Sequence, residues 1–188
     1  MSSTLAYYHI DKRNIRTADI STLNQFDQIA TGKARSQGIE WDMKGQLTDN
    51  LSLIATYALT DARILKSNNG DAGNRLPNVP ENSGSLWAKY DFDGTPLEGF
   101  SLGSGIYLAS QRQGDNANTV QLPGYGRWDA MAAYRFKVGK THLTTQLNVY
   151  NLLDKQYYKV TDVMDGNPRQ RVIPAEPLTL IGSVRLEF

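Results

Sequence analysis

The sequence predicts an all-β fold, an antiparallel sheet of about eight long strands with one face turned to membrane lipid. Three observations support this prediction: apolar and polar residues alternate along the strand-like segments, short and long connections alternate between them, and aromatic residues gather near the segment ends. The predicted segments are Ser3–Asn14, Gln37–Leu47, Leu51–Arg63, Gly84–Phe92, Phe100–Gln111, Tyr125–Lys137, Thr141–Asp154 and Leu178–Phe188. They are longer than the usual five or six residues of a soluble strand and fit a tilted crossing of a bilayer.

Alternation divides these segments into an apolar and a polar face. In "GIEWDMKGQL", Ile39, Trp41 and Met43 share one face, and every charged residue lies on the other. The same sorting recurs in "LSLIATYALT", "GRWDAMAAYRFK" and "THLTTQLNVYN". Lipid would enforce it, since an Arg or Lys facing the bilayer midplane costs about 2–4 kcal/mol. A soluble barrel with its apolar face turned inward would permit it too, so alternation alone leaves both possibilities open.

The connections favour the membrane. Three are short, "TDN", "DGTPLEG" and "VGK", and they alternate with four long ones, Ile15–Ser36, Ile64–Ser83, Arg112–Gly124 and Lys155–Pro177. This arrangement places all the tight turns at one end of the sheet, as in outer-membrane barrels, which have short periplasmic turns and long external loops.

Aromatic residues form two groups along the predicted strands. The group near the short turns contains Phe92, Phe100, Tyr134, Phe136 and Phe188, and the group toward the long loops contains Trp41 and Trp128. Two aromatic belts with aliphatic residues between them are what the two interfaces of a bilayer select.

Composition excludes several functions. The 20 basic and 19 acidic residues nearly cancel, which argues against nucleic acid as a partner. Cysteine is absent, only two histidines are present, and no nucleophile elbow, phosphate loop or His-Glu-x-x-His motif occurs. We therefore expect neither an enzyme nor a bound cofactor. The start of the chain, "MSSTLAYYHIDKRN", does not resemble a signal peptide, so an exported protein would have been trimmed or would begin further upstream.

Two loop segments are rich in oxygen ligands, Ser67–Asn74 and Asp162–Asn167. Either segment could hold calcium, but neither has the spacing of an EF-hand. Turn formation explains their Asn, Asp and Gly residues equally well, and we expect no metal.

Five stretches together resemble the last third of TonB-dependent siderophore receptors, in order and spacing. They are "GKARSQGIEWDMKGQLTDNLSLIATYALTDARI", "NRLPNVPENSGSLWAKYDF", "LPGYGRWDAMAAYRF", "LNVYNLLDKQYY" and the terminal "GSVRLEF". The resemblance extends from about Tyr8 to Phe188. It implies a barrel of about 22 strands, of which eight segments make roughly a third.

The resemblance also implies what this sequence lacks. Family members carry a plug domain inside the barrel and a short segment that engages TonB, and neither is recognisable here. The expected organisation is a single domain, residues 1–188, forming a C-terminal barrel fragment. In the intact receptor of the bacterial outer membrane, TonB would energise uptake of a ferric siderophore, the transported ligand, through the missing N-terminal regions.

Two sets of site residues follow from the resemblance. Siderophore contacts in this family come from aromatic and cationic side chains of the external loops and upper wall, and the candidates here are Tyr107, Arg112, Tyr157, Tyr158, Arg169 and Arg171. The final strand resembles the signal that the barrel-assembly machinery reads, carried here by Leu180, Val184, Leu186 and Phe188.

Two alternatives remain at this point. One is a self-contained eight-stranded outer-membrane barrel, structural or enzymatic, in which Ser3–Asn14 would pair with Leu178–Phe188. The other is a soluble ligand-binding barrel of the lipocalin type, with the apolar face turned inward.

Overall fold

A computed structural model of the chain describes residues 1–24, 26–162 and 171–188, and its main feature is one eight-stranded sheet. The strands in chain order are β1 (Ser2–Ala18), β2 (Gln28–Gln46), β3 (Leu51–Lys66), β4 (Asn82–Asp91), β5 (Phe100–Ala109), β6 (Arg112–Gln113), β7 (Gln121–Leu122), β8 (Tyr125–Val138), β9 (Thr141–Tyr150), β10 (Tyr158–Asp162), β11 (Arg171–Pro174) and β12 (Thr179–Glu187). The large sheet has the order β1-β2-β3-β4-β5-β8-β9-β12, with antiparallel neighbours throughout. Its eight strands correspond to the eight predicted segments.

Pairing across the sheet keeps the two faces apart. Leu5 lies opposite Trp41, which lies opposite Tyr57, so the apolar residues of three strands form one row. The face that carries this row leaves large apolar side chains exposed; among them are Leu86, Leu102, Trp128, Tyr134, Leu147, Val184 and Leu186. Exposed apolar surfaces of this composition are typical of faces that a membrane or a protein partner covers. We call it the outer face, and the opposite face the inner face.

The tight turns lie at one end of the sheet, as predicted. Residues 47–50, 92–99 and 139–140 connect β2 to β3, β4 to β5 and β8 to β9. The last of these turns uses Gly139 at φ 62°, a conformation that glycine adopts without strain. The opposite end, which we call the external end, carries the long connections.

Two of the long connections fold into small ribbons of their own, β6 with β7 and β10 with β11. The connection between β1 and β2 is much shorter than predicted, because β1 continues to Ala18 and β2 begins at Gln28, within the predicted connection Ile15–Ser36. The apolar alternation stops there but the pairing does not: Asp11 lies opposite Arg35, and Arg13 opposite Lys33. Charged cross-strand pairs support a strand as well as apolar pairs do.

The sheet is open. In the described residues, register pairs connect β1 with β2 alone and β12 with β9 alone. The alternative of a self-contained barrel closed by Ser3–Asn14 and Leu178–Phe188 is therefore wrong for this structure. Each free edge carries unpaired backbone groups, and in lipid such groups cost several kcal/mol apiece. Among the described residues, no helix combines the length and the apolar character needed to span a membrane.

Candidate binding site on the inner wall

Three tyrosines meet on the inner face at the external end of the sheet. The ring centroids of Tyr107, on β5, and Tyr125, at the start of β8, are 5.9 Å apart. Tyr125 in turn stacks on Tyr157, with centroids 4.1 Å apart and the ring planes inclined by 17°. Strand alternation places Tyr107 and Tyr125 on this face, whereas Tyr157 reaches it from the connection between β9 and β10. We call these three residues the tyrosine cluster.

Arg112 attaches the β10–β11 ribbon to the tyrosine cluster. Its guanidinium lies 5.3 Å from the centroid of the Tyr125 ring, a cation–π distance. Its Nη2 donates hydrogen bonds to the carbonyl oxygens of Tyr158 and Lys159, the latter at 2.9 Å. The residue is only 5% exposed. In this arrangement Arg112 positions the ribbon, and its contact with a ligand stays a prediction.

A second polar group lies beside the cluster. Arg127 donates from Nε and Nη2 to Oδ2 of Asp129, at 3.1 and 2.8 Å, and Asp129 Oδ1 accepts the backbone N–H of Asn151 at 2.9 Å. A cavity of about 240 Å³ opens here, lined by Arg127, Tyr150, Asn151, Tyr157, Glu176, Pro177, Thr179 and Ile181. Its rim combines a cation, a carboxylate and aromatic rings.

Asn151 holds the chain segment that covers this cavity. Its side-chain amide donates to the carbonyl oxygens of Lys155 and Glu176, at 3.0 and 3.1 Å, and its Oδ1 accepts the N–H of Lys155 at 2.9 Å. The residue is 1% exposed and has a left-handed φ of 52°, a region that asparagine tolerates better than most residues.

Two groups at the external end have shifted pKa values. Burial raises the pKa of the Tyr125 hydroxyl, with the neighbouring Tyr107 adding to the effect. The Lys159 ammonium, 2.6 Å from Oε1 of Glu176, lowers the pKa of that carboxyl. At neutral pH the site thus combines the neutral Tyr125 phenol with the ionised Glu176 carboxylate, which is paired with Lys159.

The structure brings together three of the six predicted ligand contacts, Tyr107, Arg112 and Tyr157. Tyr158 and Arg171 are exposed on the β10–β11 ribbon, and Arg169 lies outside the described residues. Their contact with a ligand stays a prediction.

Sequence reasoning missed Tyr125, Arg127 and Asn151. Parity could have found the first two, since Tyr125, Arg127 and Asp129 alternate with outward-facing residues at the start of β8. Asn151 lies inside the motif "LNVYNLLDKQYY", but nothing in the sequence shows which carbonyl oxygens it meets.

Comparison with known proteins agrees with this geometry. The sequence profile described as "TonB dependent receptor-like, beta-barrel" matches residues 1–152. The chain belongs to the TonB-dependent receptor family. The resemblance drawn from its motifs is confirmed, and with it the all-β fold and the outer membrane as its location, whereas contact of the outer face with lipid stays a prediction. The lipocalin-type alternative is excluded.

Individual receptors align over most of the chain. The metal-pseudopaline receptor of Pseudomonas aeruginosa is 37% identical over 189 residues, which cover 100% of this chain and 25% of that protein. The ferrioxamine B receptor of Salmonella typhimurium is 37% identical over 153 residues, covering 81% of this chain and 21% of that protein. The chain thus spans about a quarter of the length of these relatives.

A solved structure shows the same architecture. The ferric preacinetobactin receptor from Acinetobacter baumannii superposes with a TM-score of 0.82 at 26% identity, covering 99% of this chain and 27% of that one. The open eight-stranded sheet therefore matches one section of the wall of a larger receptor barrel.

The final strand has the predicted geometry. Leu180, Val184 and Leu186 lie on the outer face with more than half of their surface exposed, and Phe188 is fully exposed. Their role as a signal for the assembly machinery stays a prediction.

The two oxygen-rich loop segments were considered as calcium sites, and the expected absence of a metal stays a prediction. Within the described residues, no group of three or more His, Asp or Glu side chains is arranged to hold an ion. Asp162–Asn167 lies outside the described residues, apart from the backbone of its first residue.

Proposed function

We propose that this chain is the C-terminal wall segment of an outer-membrane receptor for ferric siderophores, energised through TonB in the intact protein. The observation that carries the proposal is the tyrosine cluster, with Arg112 and Arg127 beside it, on the inner wall at the external end. Aromatic rings and guanidinium groups suit a bulky anionic iron chelate. The names of the aligned relatives, receptors for metal-pseudopaline and ferrioxamine B, support this ligand class.

The roles within this site divide by burial. Arg112 and Tyr157 are buried, so they form the base of the site and hold the ribbon in place. Tyr107 and Arg127 are partly exposed on the inner wall and would meet the chelate, together with Tyr158, Arg171 and Arg169 from the loops. The chelate is cargo and not a cofactor, and the chain performs no catalytic step.

The proposed partners contact different parts of the receptor. The apolar outer face contacts outer-membrane lipid. TonB acts only through N-terminal regions that this sequence does not contain, and the barrel-assembly machinery recognises the strand that ends at Phe188. Nucleic acid is not a partner.

Uptake of radioactive iron tests the proposal. Cells that lack the gene would receive the complete gene, either unchanged or carrying Tyr107→Ala together with Tyr158→Ala, and would be offered ferric hydroxamates, catecholates and carboxylates separately. We expect uptake of one chelate class, lost when TonB is deleted and reduced at least tenfold by the double substitution. Tyr90→Ala is the control, because Tyr90 lies near the short turns on the outer face. TonB-independent uptake, or uptake of no class at equal surface amounts, would contradict the proposal.

Assembly is tested separately with Phe188→Ala. We expect less protein in the outer membrane, because the terminal ring is part of the proposed recognition signal, while Phe92→Ala at another short-turn end leaves the amount unchanged. Quantitative immunoblotting of membrane fractions measures both. Equal amounts of the two variants would contradict a special role for the last residue.

A further inference from the structure

Basic side chains form a row on the outer face at the external ends of β2 and β3. Arg35 lies opposite Arg63 across β2 and β3, and Arg63 lies opposite Arg75 through an isolated bridge. Lys33 shares this face with Arg35, since both contact the carboxylate of Asp11. We call Lys33, Arg35, Arg63 and Arg75 the outer basic row.

The outer basic row lies on the outer face, between its apolar side chains and the external end of the sheet. Arg35 has the same parity as Ile39 on β2, and Arg63 has the same parity as Leu59 on β3. One polar pair, Gln37 and Asp61, separates these cations from the apolar side chains below them. Arg35 is also beyond the ten or so residues that cross a bilayer, counted from the end of β2 at Gln46. The row therefore lies where the head groups of the external leaflet begin.

Acidic neighbours neutralise the row incompletely. Asp11 is shared by Lys33, at 3.0 Å, and Arg35, at 2.9 Å. Arg63 pairs with Asp61 at 2.8 Å, and Arg75 pairs with Glu81 at 3.0 Å. Four cations thus share three carboxylates. The four basic side chains keep between 26% and 43% of their surface exposed, so an external anion can reach them.

Among the described residues, the side of the sheet formed by β8, β9 and β12 has no such row on its outer face. At a comparable distance from its short turn, the outward positions of β8 hold Gly126 and Trp128, and those near the external ends of β9 and β12 hold Val149 and Leu180. None of these residues is charged. Among the described residues of these strands, the positive charge therefore lies at the external ends of β2 and β3 and not on these outward positions of β8, β9 and β12.

We propose that the outer basic row binds phosphate-bearing lipids of the external leaflet. The planar guanidinium forks of Arg35, Arg63 and Arg75 match phosphate oxygens, and the apolar belt below them accommodates the acyl chains. Basic residues next to a membrane surface attract anionic head groups. The row lies on the opposite face from the tyrosine cluster, so lipid binding is independent of the proposed siderophore site.

Lipid retention tests the proposal on the product of the complete gene, extracted from outer membranes and placed in nanodiscs of phosphatidylcholine with or without phosphatidylglycerol. Native mass spectrometry would count the phosphatidylglycerol molecules that stay bound. We expect Arg35→Gln combined with Arg63→Gln to weaken retention roughly tenfold. Arg135→Gln combined with Arg185→Gln removes the same charge from the inner face and should have no effect. Equal loss in both double variants, or no loss in the first, would overturn the proposal.

Two further variants test the proposal even if the double variant with Arg35→Gln and Arg63→Gln does not assemble in the membrane. Arg35→Lys with Arg63→Lys preserves the charge and should retain lipid, at reduced strength because the planar fork is lost. Asp11→Asn frees two cations from their shared carboxylate and should increase retention. Unchanged retention in Asp11→Asn would equally overturn the proposal.

Inorganic phosphate should compete with the lipid only weakly, since it lacks the acyl chains. Full displacement of the lipid by phosphate would show a site for a free anion instead of a lipid site and would overturn the proposal.

Discussion

The two sides of the sheet hold their external connections in different ways. β1 and β2 stay paired as far as Ala18 and Gln28, and the turn between them is closed by a backbone hydrogen bond of 2.8 Å from Asp19 to Asp27. β9 instead ends at Tyr150, and the described residues that follow it, 151–162 and 171–178, fold over the inner wall before β12 begins. The first connection is an extended ladder, while the second is a covering loop.

The bonds that hold them differ accordingly. Backbone pairing dominates the β1–β2 hairpin, so each side chain there contributes little by itself. The covering loop is held by a few side chains that bond to backbone groups. They are the buried Asn151 and Arg112, together with the half-buried Asn78, which bonds to the N–H and the carbonyl oxygen of Thr161 at 2.8 and 3.0 Å. A buried polar group that loses its partner costs about 1–3 kcal/mol. Single substitutions should therefore have large effects in the loop and small effects in the hairpin.

The largest effect is expected from Asn151→Ala. The substitution leaves two carbonyl oxygens and one N–H without partners and places alanine at a left-handed φ. We expect a local loss of about 2–4 kcal/mol, seen as faster hydrogen exchange in residues 151–162 and 171–178. Asn148→Ala is the matched control, because Asn148 lies three residues earlier, on β9, and in the described residues its side chain accepts a single hydrogen bond, from Nε2 of Gln146. Equal exchange in the two variants would show that the loop has other supports.

Arg112→Met should have the next largest effect. It removes the hydrogen bonds to the Tyr158 and Lys159 carbonyl oxygens and the stacking on Tyr125, so the β10–β11 ribbon should detach more often, with a loss of about 1.5–3 kcal/mol. Limited proteolysis measures this as faster cleavage between residues 155 and 178. Arg171→Met changes an exposed arginine of the same ribbon and should leave the rate unchanged.

These two regions also differ in how far the sequence predicts them. Alternation of apolar residues predicted the eight large strands, because lipid on one face imposes a strict period of two. The prediction failed at the external end of the sheet. There Asp11 and Arg35 form an ion pair, and β2 continues although apolar and polar residues no longer alternate. Strand length was therefore underestimated where electrostatics replaced burial.

The candidate site was predicted only in part, for a related reason. Tyr107 lies on the inner wall because of its parity on β5, which sequence alone can show. The bonds of Asn151 to Glu176 and of Asn78 to Thr161 join residues that are distant in the chain. Nothing in the local pattern specifies such partners, because the loops acquire their contacts only after the sheet has brought their ends together.

A moderate effect is expected on the titration of Tyr125. Burial raises the pKa of its hydroxyl, so the contribution to stability is fully present below the ordinary value of about 10 and is lost as the pH rises through the raised value. The absorbance difference between the wild type and Tyr125→Phe should show one phenol titrating later than the exposed tyrosines. A Tyr125 that ionises together with them would show that the cluster is open to water.

The smallest effect is expected from Asp11→Asn in the hairpin. The hydrogen bond from Arg35, and next that from Lys33, hold the pKa of the Asp11 carboxyl well below its usual range. Its stabilising contribution is therefore complete above a pH of about 4 and fades as the pH falls below that value. Wild type and Asp11→Asn should differ slightly in thermal unfolding of the hairpin at pH 6, and the difference should shrink in acid and in high salt. A large difference that persists at low pH would mean that the hairpin, like the covering loop, depends on single side chains, and the contrast between the two regions would fail.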